Sequence, residues 1–162
     1  MALITAQSSI QLPASIEKFL IERRVLCFST AVNNVPYSAP VFYSFNSKLV
    51  EFYFLSDVDS THSVQAVQNN QVSVSIFDQN PTIEKLQGAQ IQCLAESTPL
   101  NQMLNTDQLN QYKTDVNESI GQLNKADNSN LTKLAFWKLI AYQIKFTDNQ
   151  VRFGYKEYWR RS

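Results

Sequence analysis

The chain has 162 residues, 44% of them hydrophobic, with ten Phe and seven Tyr, which suits one domain with a sizeable core and excludes global disorder. Lys+Arg and Asp+Glu number 14 each, so the neutral chain lacks the field that non-specific nucleic-acid binding needs. No apolar run approaches the ~20 residues that span a bilayer, and Met1 to Gln11 has neither the basic nor the apolar part of a signal segment. A cytoplasmic protein without membrane or nucleic-acid partners is expected.

Leu12-Pro13-Ala14-Ser15 opens a first helix with Ser15 as N-cap, and Ile16, Phe19 and Leu20 share one face. Residues 1–14 are expected to be largely flexible. Val25 to Val32 reads as a strand, and Asn33-Asn34 as a two-residue hairpin turn, because Asn tolerates left-handed geometry. The second strand, Pro36 to Phe45, keeps Tyr37, Ala39, Val41, Tyr43 and Phe45 in one phase. Pro40 removes a backbone donor there, marking an edge, a bulge, or a place where a ligand takes over the pairing. Asn46-Ser47-Lys48 turns the chain into a third strand, Leu49 to Ser56.

Ser60 caps a short helix to about Gln68, with Val64 and Val67 expected inward. Gln71 to Asp78 alternates cleanly as a strand, and Gly88 to Cys93 resumes that alternation after the break at Pro81. From Pro99 to Asn124 the period becomes helical. Leu100, Met103 and Leu104 form one group; Leu109, Tyr112, Val116, Ile120 and Leu123 form a second, capped by Thr106. Lys125 to Thr132 reads as a mobile polar loop. Trp137 to Phe146 is a strand, Thr147 to Gln150 a turn, and Val151 to Tyr155 a last strand. About seven short strands with three helices suit a mainly β, antiparallel barrel with flanking helices in a single domain.

The missing chemistry is informative. Gly88, Gly121 and Gly154 are the only glycines, too scattered for a Rossmann or P-loop fingerprint. There is no nucleophile elbow, and His62 is the only imidazole. One histidine with two separated cysteines leaves no structural zinc site, and Cys27 and Cys93 read as buried reduced thiols. Reaction chemistry would therefore come from a cofactor, and no catalytic acid or base is singled out.

Three stretches carry candidate binding residues. In the first, Ser56, Ser60, Thr61, Ser63 and the helix-start N–H groups can ligate a phosphate beside His62; otherwise Ser60 is only a cap and His62 a surface residue. In the second, Ser38-Ala39-Pro40-Val41-Phe42 either lets a flat ring lie against backbone or is an ordinary strand filling its own core. In the third, Trp137, Phe153, Tyr155, Tyr158 and Trp159 are core or subunit interface, and Arg152 is either solvated or reaches across an interface to an anion. Asp57 and Asp59 shape a turn through Asx-type bonds.

Tyr37-Ser38-Ala39-Pro40-Val41-Phe42-Tyr43, Phe52-Tyr53-Phe54-Leu55-Ser56-Asp57, Ser60-Thr61-His62-Ser63 and Asn69-Asn70-Gln71-Val72-Ser73-Val74 follow one another in an order that resembles the pyridoxamine 5′-phosphate oxidase-like, FMN-binding split barrel. The segment Lys145 to Gly154 is similar to a small, uncharacterised bacterial branch of that superfamily. The resemblance spans about Ile16 to Arg160. It implies a homodimer with two FMN sites at the subunit interface. Ser38, Ala39, Pro40, Val41 and Phe42 would meet the isoalloxazine edge; Leu55, Ser56, Ser60, Thr61, His62 and Ser63 would face the ribityl phosphate. Gln87 to Gln90, Trp137 and Arg152 would arrive from the other subunit.

Two departures stand out. Thr61 and His62 occupy positions where tight FMN-binding relatives carry Arg or Lys, which removes a charge-assisted contact of about 1.5–3 kcal/mol; protonation of His62 below about pH 6.5 would restore charge. The C-terminal Arg-and-His substrate motif of the true vitamin oxidase is missing, so pyridoxamine phosphate is not the expected substrate. The expectation is a dimeric FMN-binding protein with oxidoreductase chemistry on a small molecule. The alternative is a non-enzymatic carrier or sensor for haem, with His62 as the axial candidate, or for a deazaflavin.

Overall fold

The computed structural model describes residues 10–79, 81–116 and 132–162. In chain order it contains α1 (Ala14–Glu22), β1 (Val25–Val32), β2 (Val35–Phe42), β3 (Ser44–Asn46), β4 (Glu51–Asp57), α2 (Thr61–Gln68), β5 (Gln71–Phe77), β6 (Gln87–Pro99), α3 (Asp107–Asp115), β7 (Leu134–Asp148) and β8 (Lys156–Arg160). Short 3-10 turns cover Ile83–Lys85 and Leu100–Gln102.

Every strand pairing is antiparallel, and the sheet runs β2-β1-β5-β6-β7-β4-β3, with β8 added to β7. The two ends of that path, β2 and β3, are separated only by Tyr43, so one bent segment closes the sheet into a barrel. Alternation sends Leu26, Phe28, Phe52, Phe54, Val74, Ile76, Ile91, Cys93, Trp137, Leu139 and Phe146 inside, all buried. Trp137 stacks on its cross-strand neighbour Phe54 at 6.1 Å, and Phe28 meets both rings.

Helices seal the barrel. At the start of β1, α1 inserts Ile16, Phe19 and Leu20, with Phe19 5.0 Å from Phe146, as the helical spacing predicts. At the far end of β1, α2 covers the opening through His62, Ser63 and Ala66. Outside, α3 lays Tyr112 against Phe136, which stacks on Tyr53.

The β1–β2 turn forms as expected: Asn33 and Asn34 both have positive φ, 51° and 64°, as a type I′ hairpin requires. Thr106 caps α3, accepting from the Leu109 N–H at 3.3 Å. Other expectations fail for local reasons. α1 starts two residues early, with Pro13 at the N-cap, so Ser15 lies inside the first turn and donates to Glu157 at 2.7 Å instead of capping. Leu12 is part of the core, while its neighbours Gln11 and Ala14 are exposed; residues 1–9, Ile120, Leu123 and the loop up to residue 131 fall outside the described residues.

The inward face of α2 is the reverse of the expected one: Val64 and Val67 are 43% and 71% exposed, while the small and polar residues face in. The barrel mouth beneath is already filled by Phe28, Phe54 and Trp137, leaving no depth for a branched chain. The last strand begins at Lys156, not Val151. Asn149 holds residues 149–155 in a turn by accepting from the Gly154 N–H at 2.9 Å and donating to the Ile83 carbonyl at 2.7 Å. Gly154 supplies the positive φ, 74°, that this turn needs.

Candidate functional site

The barrel is split beside β2. The β3–β4 ladder ends at Ser44↔Tyr53, and beyond Tyr43 the bent segment pairs only with β1. The edge that β4 exposes there is taken up by α3: the Leu55 amide bonds the Tyr112 phenol, and Gln111 beside it donates to the Phe45 carbonyl at 2.9 Å. Ser44 and Asp115 are also hydrogen-bonded. Among the described residues none gives β2 such a cover, and none of its own residues is buried.

The register tells which backbone groups β2 offers. A two-residue turn makes Val32–Val35 a hydrogen-bonded pair, and alternation then assigns Thr30–Tyr37, Phe28–Ala39 and Leu26–Val41 to the same class. Pro36, Ser38, Pro40 and Phe42 therefore turn their backbone groups to the free side. Proline at Pro36 and Pro40 costs no bond to β1 and blocks a further strand from pairing. What remains is a row of carbonyls broken by the N–H groups of Ser38 and Phe42. On the outer face Ser38 Oγ lies 2.8 Å from Ser29 Oγ.

The second stretch forms a compact polar cluster on the start of α2. Asp57 accepts from the Asp59 N–H at 2.8 Å in the expected Asx turn. Ser60 makes no side-chain cap: its hydroxyl donates to the Asp57 carbonyl at 2.8 Å and lies 2.8 Å from Ser63 Oγ and 3.1 Å from His62 Nε2. Ser56 Oγ lies 2.6 Å from His62 Nε2. The imidazole is 9% exposed and meets Phe28 edge-on at 5.8 Å. Burial holds its pKa below the ordinary histidine value, so it is neutral at pH 7 and hydrogen-bonds the serine hydroxyls without a positive charge. His62 is thus neither a surface residue nor a cation, and its Nε2 is not offered to an axial haem position.

The remaining candidates separate. Gln90 is exposed on the outer barrel face, around an open hollow of about 360 Å³ shared with Ser29, Ser73, Ser75, Gln143 and Lys145. Gln87 is engaged within the chain, accepting from Arg23 at 3.4 Å and donating to Asp148 at 3.0 Å. Trp137 faces the core with its indole N–H unpartnered, so it presents no surface to a second subunit. Arg152 sits in the 149–155 turn, its guanidinium 5.7 Å from the Tyr155 ring centre, and not on a strand face. Thus Ser38 to Phe42 lie on β2 and Leu55 and Ser56 on β4, which part at Tyr43, with Ser60 to Ser63 at the start of α2 just beyond β4; Gln87 and Trp137 are withdrawn from that opening. Two residues were missed. Tyr112 had the helical spacing of a core residue and gave no sign of its bond to Leu55; Lys133, whose carbonyl accepts from the Val58 N–H at 2.9 Å, gave none at all.

No protein-family model matches the chain. It is 27% identical over 155 residues to a UPF0306 protein of Photorhabdus laumondii, covering 90% of this chain and 94% of that one. A UPF0306 protein of Cronobacter sakazakii is 23% identical over 150 residues, covering 91% and 94%. Among solved structures, an FAD-binding protein of Mesorhizobium loti superposes with a TM-score of 0.65 at 18% identity, over 83% of this chain and 94% of the other. A pyridoxamine 5′-phosphate oxidase-related, FMN-binding protein of Nostoc punctiforme superposes with a TM-score of 0.64 at 10% identity, over 94% and 93%. The fold is the pyridoxamine 5′-phosphate oxidase-like split barrel. A haem-binding protein of Mycobacterium smegmatis shares it, with a TM-score of 0.67 at 11% identity over 93% of this chain and 60% of that one.

A flavin divides into two parts that the split barrel can be tested against. The ring carries alternating donors and acceptors along one edge, and the free side of β2 offers carbonyls with spaced N–H groups. That part fits. The phosphate of FMN needs donors with positive charge, whereas the hydroxyls of Ser56, Ser60 and Ser63 are engaged with one another and with a neutral imidazole. Among the described residues, no Lys or Arg side chain bonds to this cluster. Two free thiols, Cys27 and Cys93, complete the inventory; burial raises the Cys93 pKa, leaving it a protonated core residue. No described helix is long and apolar enough to cross a membrane, and no described group of side chains is arranged to hold a metal ion.

Proposed function

We propose that this chain is a dimeric flavin-binding protein whose ring site lies along the free side of β2, between two protomers. The observation that carries the reading is the bare β2 strand, unburied along its length, with both of its prolines placed where they bar another strand. A planar heteroaromatic ligand satisfies the carbonyls and the Ser38 and Phe42 N–H groups that a strand cannot. Two neighbours of the same fold are described as FMN- and FAD-binding, which supports the choice of flavin.

The second protomer supplies the lid. The outer face of β1, β5 and β6 presents the uncharged Ser29, Ser73, Ser75, Gln90 and Gln92, bordered by the exposed Phe42 and Phe77 and, on β7, by Lys145. Such a polar face, with its charge kept to the border, suits a self-complementary contact. Arg152 and Phe153, on an exposed turn, are placed to reach a neighbouring protomer.

When bound, the flavin supplies the electron-transfer chemistry. The chain's own part is to fix the ring edge by backbone hydrogen bonds and to exclude water with the partner face. A cytoplasmic setting suits its free thiols. An oxidoreductase acting on a small molecule follows if a nicotinamide donor reduces the bound flavin; a carrier follows if none does. The deciding experiment is the visible spectrum of the purified protein after incubation with flavin and desalting, with its mass in solution. Retained flavin absorbance at the mass of two chains is expected. A monomer that leaves all flavin behind refutes the proposal.

A further inference from the structure

We infer that the flavin this site takes ends in an uncharged chain, as riboflavin does, rather than in the phosphate of FMN or the pyrophosphate of FAD. The inference rests on the flavin reading above and concerns the start of α2, where the fold would place the ligand's tail.

The argument is a balance of charge. An α-helix presents about half a positive charge at its N-terminus, and α2 is a short helix with no acidic residue in its first turn. Against it stand two full negative charges, Asp57 and Asp59, in the turn that delivers the chain to Ser60. The cation brought nearest by a backbone bond is Lys133, and the group it gives the turn is its carbonyl. Among the described residues two carboxylates therefore outweigh one lysine and half a helix charge, and a phosphate dianion entering here is repelled.

The hydrogen-bonding inventory agrees. Ser60 donates to a carbonyl of its own turn, Ser56 is hydrogen-bonded to His62, and Ser63 lies within bonding distance of Ser60. His62 faces Ser56, Ser60 and the Phe28 ring, with Asp57 and Asp59 the charged groups on its own segment. It holds no positive charge to offset them. A ribityl chain asks only for exchange of hydroxyl partners, which a serine cluster can provide without new charge. Thr61, exposed at the first helical position, is where a cation would have to stand.

The test is a titration of the purified, flavin-stripped protein with riboflavin, FMN and FAD, followed by quenching of flavin fluorescence at fixed ionic strength. Riboflavin is expected to bind as tightly as either nucleotide or more tightly. A preference for FMN or FAD beyond about threefold, roughly 0.7 kcal/mol, overturns the inference while leaving the flavin reading intact. Failure of all three to bind overturns both. Two substitutions at exposed positions read the same balance from opposite sides. Asp59→Asn should tighten FMN severalfold and Thr61→Arg about tenfold or more, each measured against riboflavin on the same variant. FMN affinity unmoved by both substitutions would show that the phosphate does not sense this turn, and would also overturn the inference.

Discussion

Replacing Arg161 tests whether the barrel depends on a clamp at its C-terminal end. The Arg161 side chain donates from Nε to the Ala141 carbonyl at 2.7 Å and from Nη2 to the carbonyls of Leu49 and Val50 at 2.7 and 3.1 Å. It thereby ties β7 to the turn before β4. That turn is strained: Val50 is a fully buried, β-branched residue with a φ of 52°. Such a conformation costs of order 1–3 kcal/mol and persists only where the surroundings enforce it. A hydrogen bond from a charged donor contributes about 1.5–3 kcal/mol, and three sharing one half-exposed guanidinium do not add.

Arg161→Ala should therefore lose about 2–4 kcal/mol in urea unfolding at pH 7, with an unchanged slope. For a chain of this size the melting temperature falls by roughly 5–12 °C. Arg161→Lys keeps the charge but not the fork, and should recover less than half of the loss. A loss below about 0.5 kcal/mol for Arg161→Ala would refute the reasoning, because the strain at Val50 would then be held by something else.

Further outcomes follow from particular residues. His62 is held neutral by burial, so between pH 7 and 5 the unfolded chain binds the proton more readily and stability falls as pH falls. His62→Gln should remove that component, seen as a flatter pH profile of urea midpoints; parallel profiles would contradict it. Asn34→Gly, at a φ of 64°, should raise stability by about 0.5–1 kcal/mol in thermal melts, and a loss would mean the Asn side chain does more than tolerate the turn. Ser75→Glu, on the outer face of β5, places like charges close together across the proposed two-fold contact and should give a folded monomer in sedimentation; an intact dimer would move the interface elsewhere.

The parts legible in the sequence were those decided by short-range rules. Alternation at Val25–Val32 and Gln71–Phe77, and two left-handed Asn residues, located β1, β5 and the β1–β2 turn almost residue for residue. Helical spacing found the inward face of α1. It failed for α2, because hydrophobicity does not report that the space beneath is already filled by Phe28, Phe54 and Trp137. Val151 to Tyr155 alternates like a strand, yet one Asn149 side chain outweighs that pattern by binding two distant backbone groups. At the site, residue types at Ser38 to Phe42 and Ser56 to Ser63 left an ordinary strand and an ordinary helix start open, and only the order of the motifs, through the resemblance, pointed to these two stretches. The neutrality of His62 and the internal satisfaction of Gln87 depend on burial and on partners such as Asp148 and Arg23, which the sequence does not rank.

The bend at Tyr43 has one more consequence. A single stretch of chain completes the ring of strands on one side of that residue and, in the proposed reading, supplies the ligand's edge on the other. Mechanical integrity and recognition are therefore wired in series, and neither can drift under selection without dragging the other along. Variation that tunes what is bound has to enter through the turn before α2 or through the opposing copy, the two places that can change while the hoop stays shut.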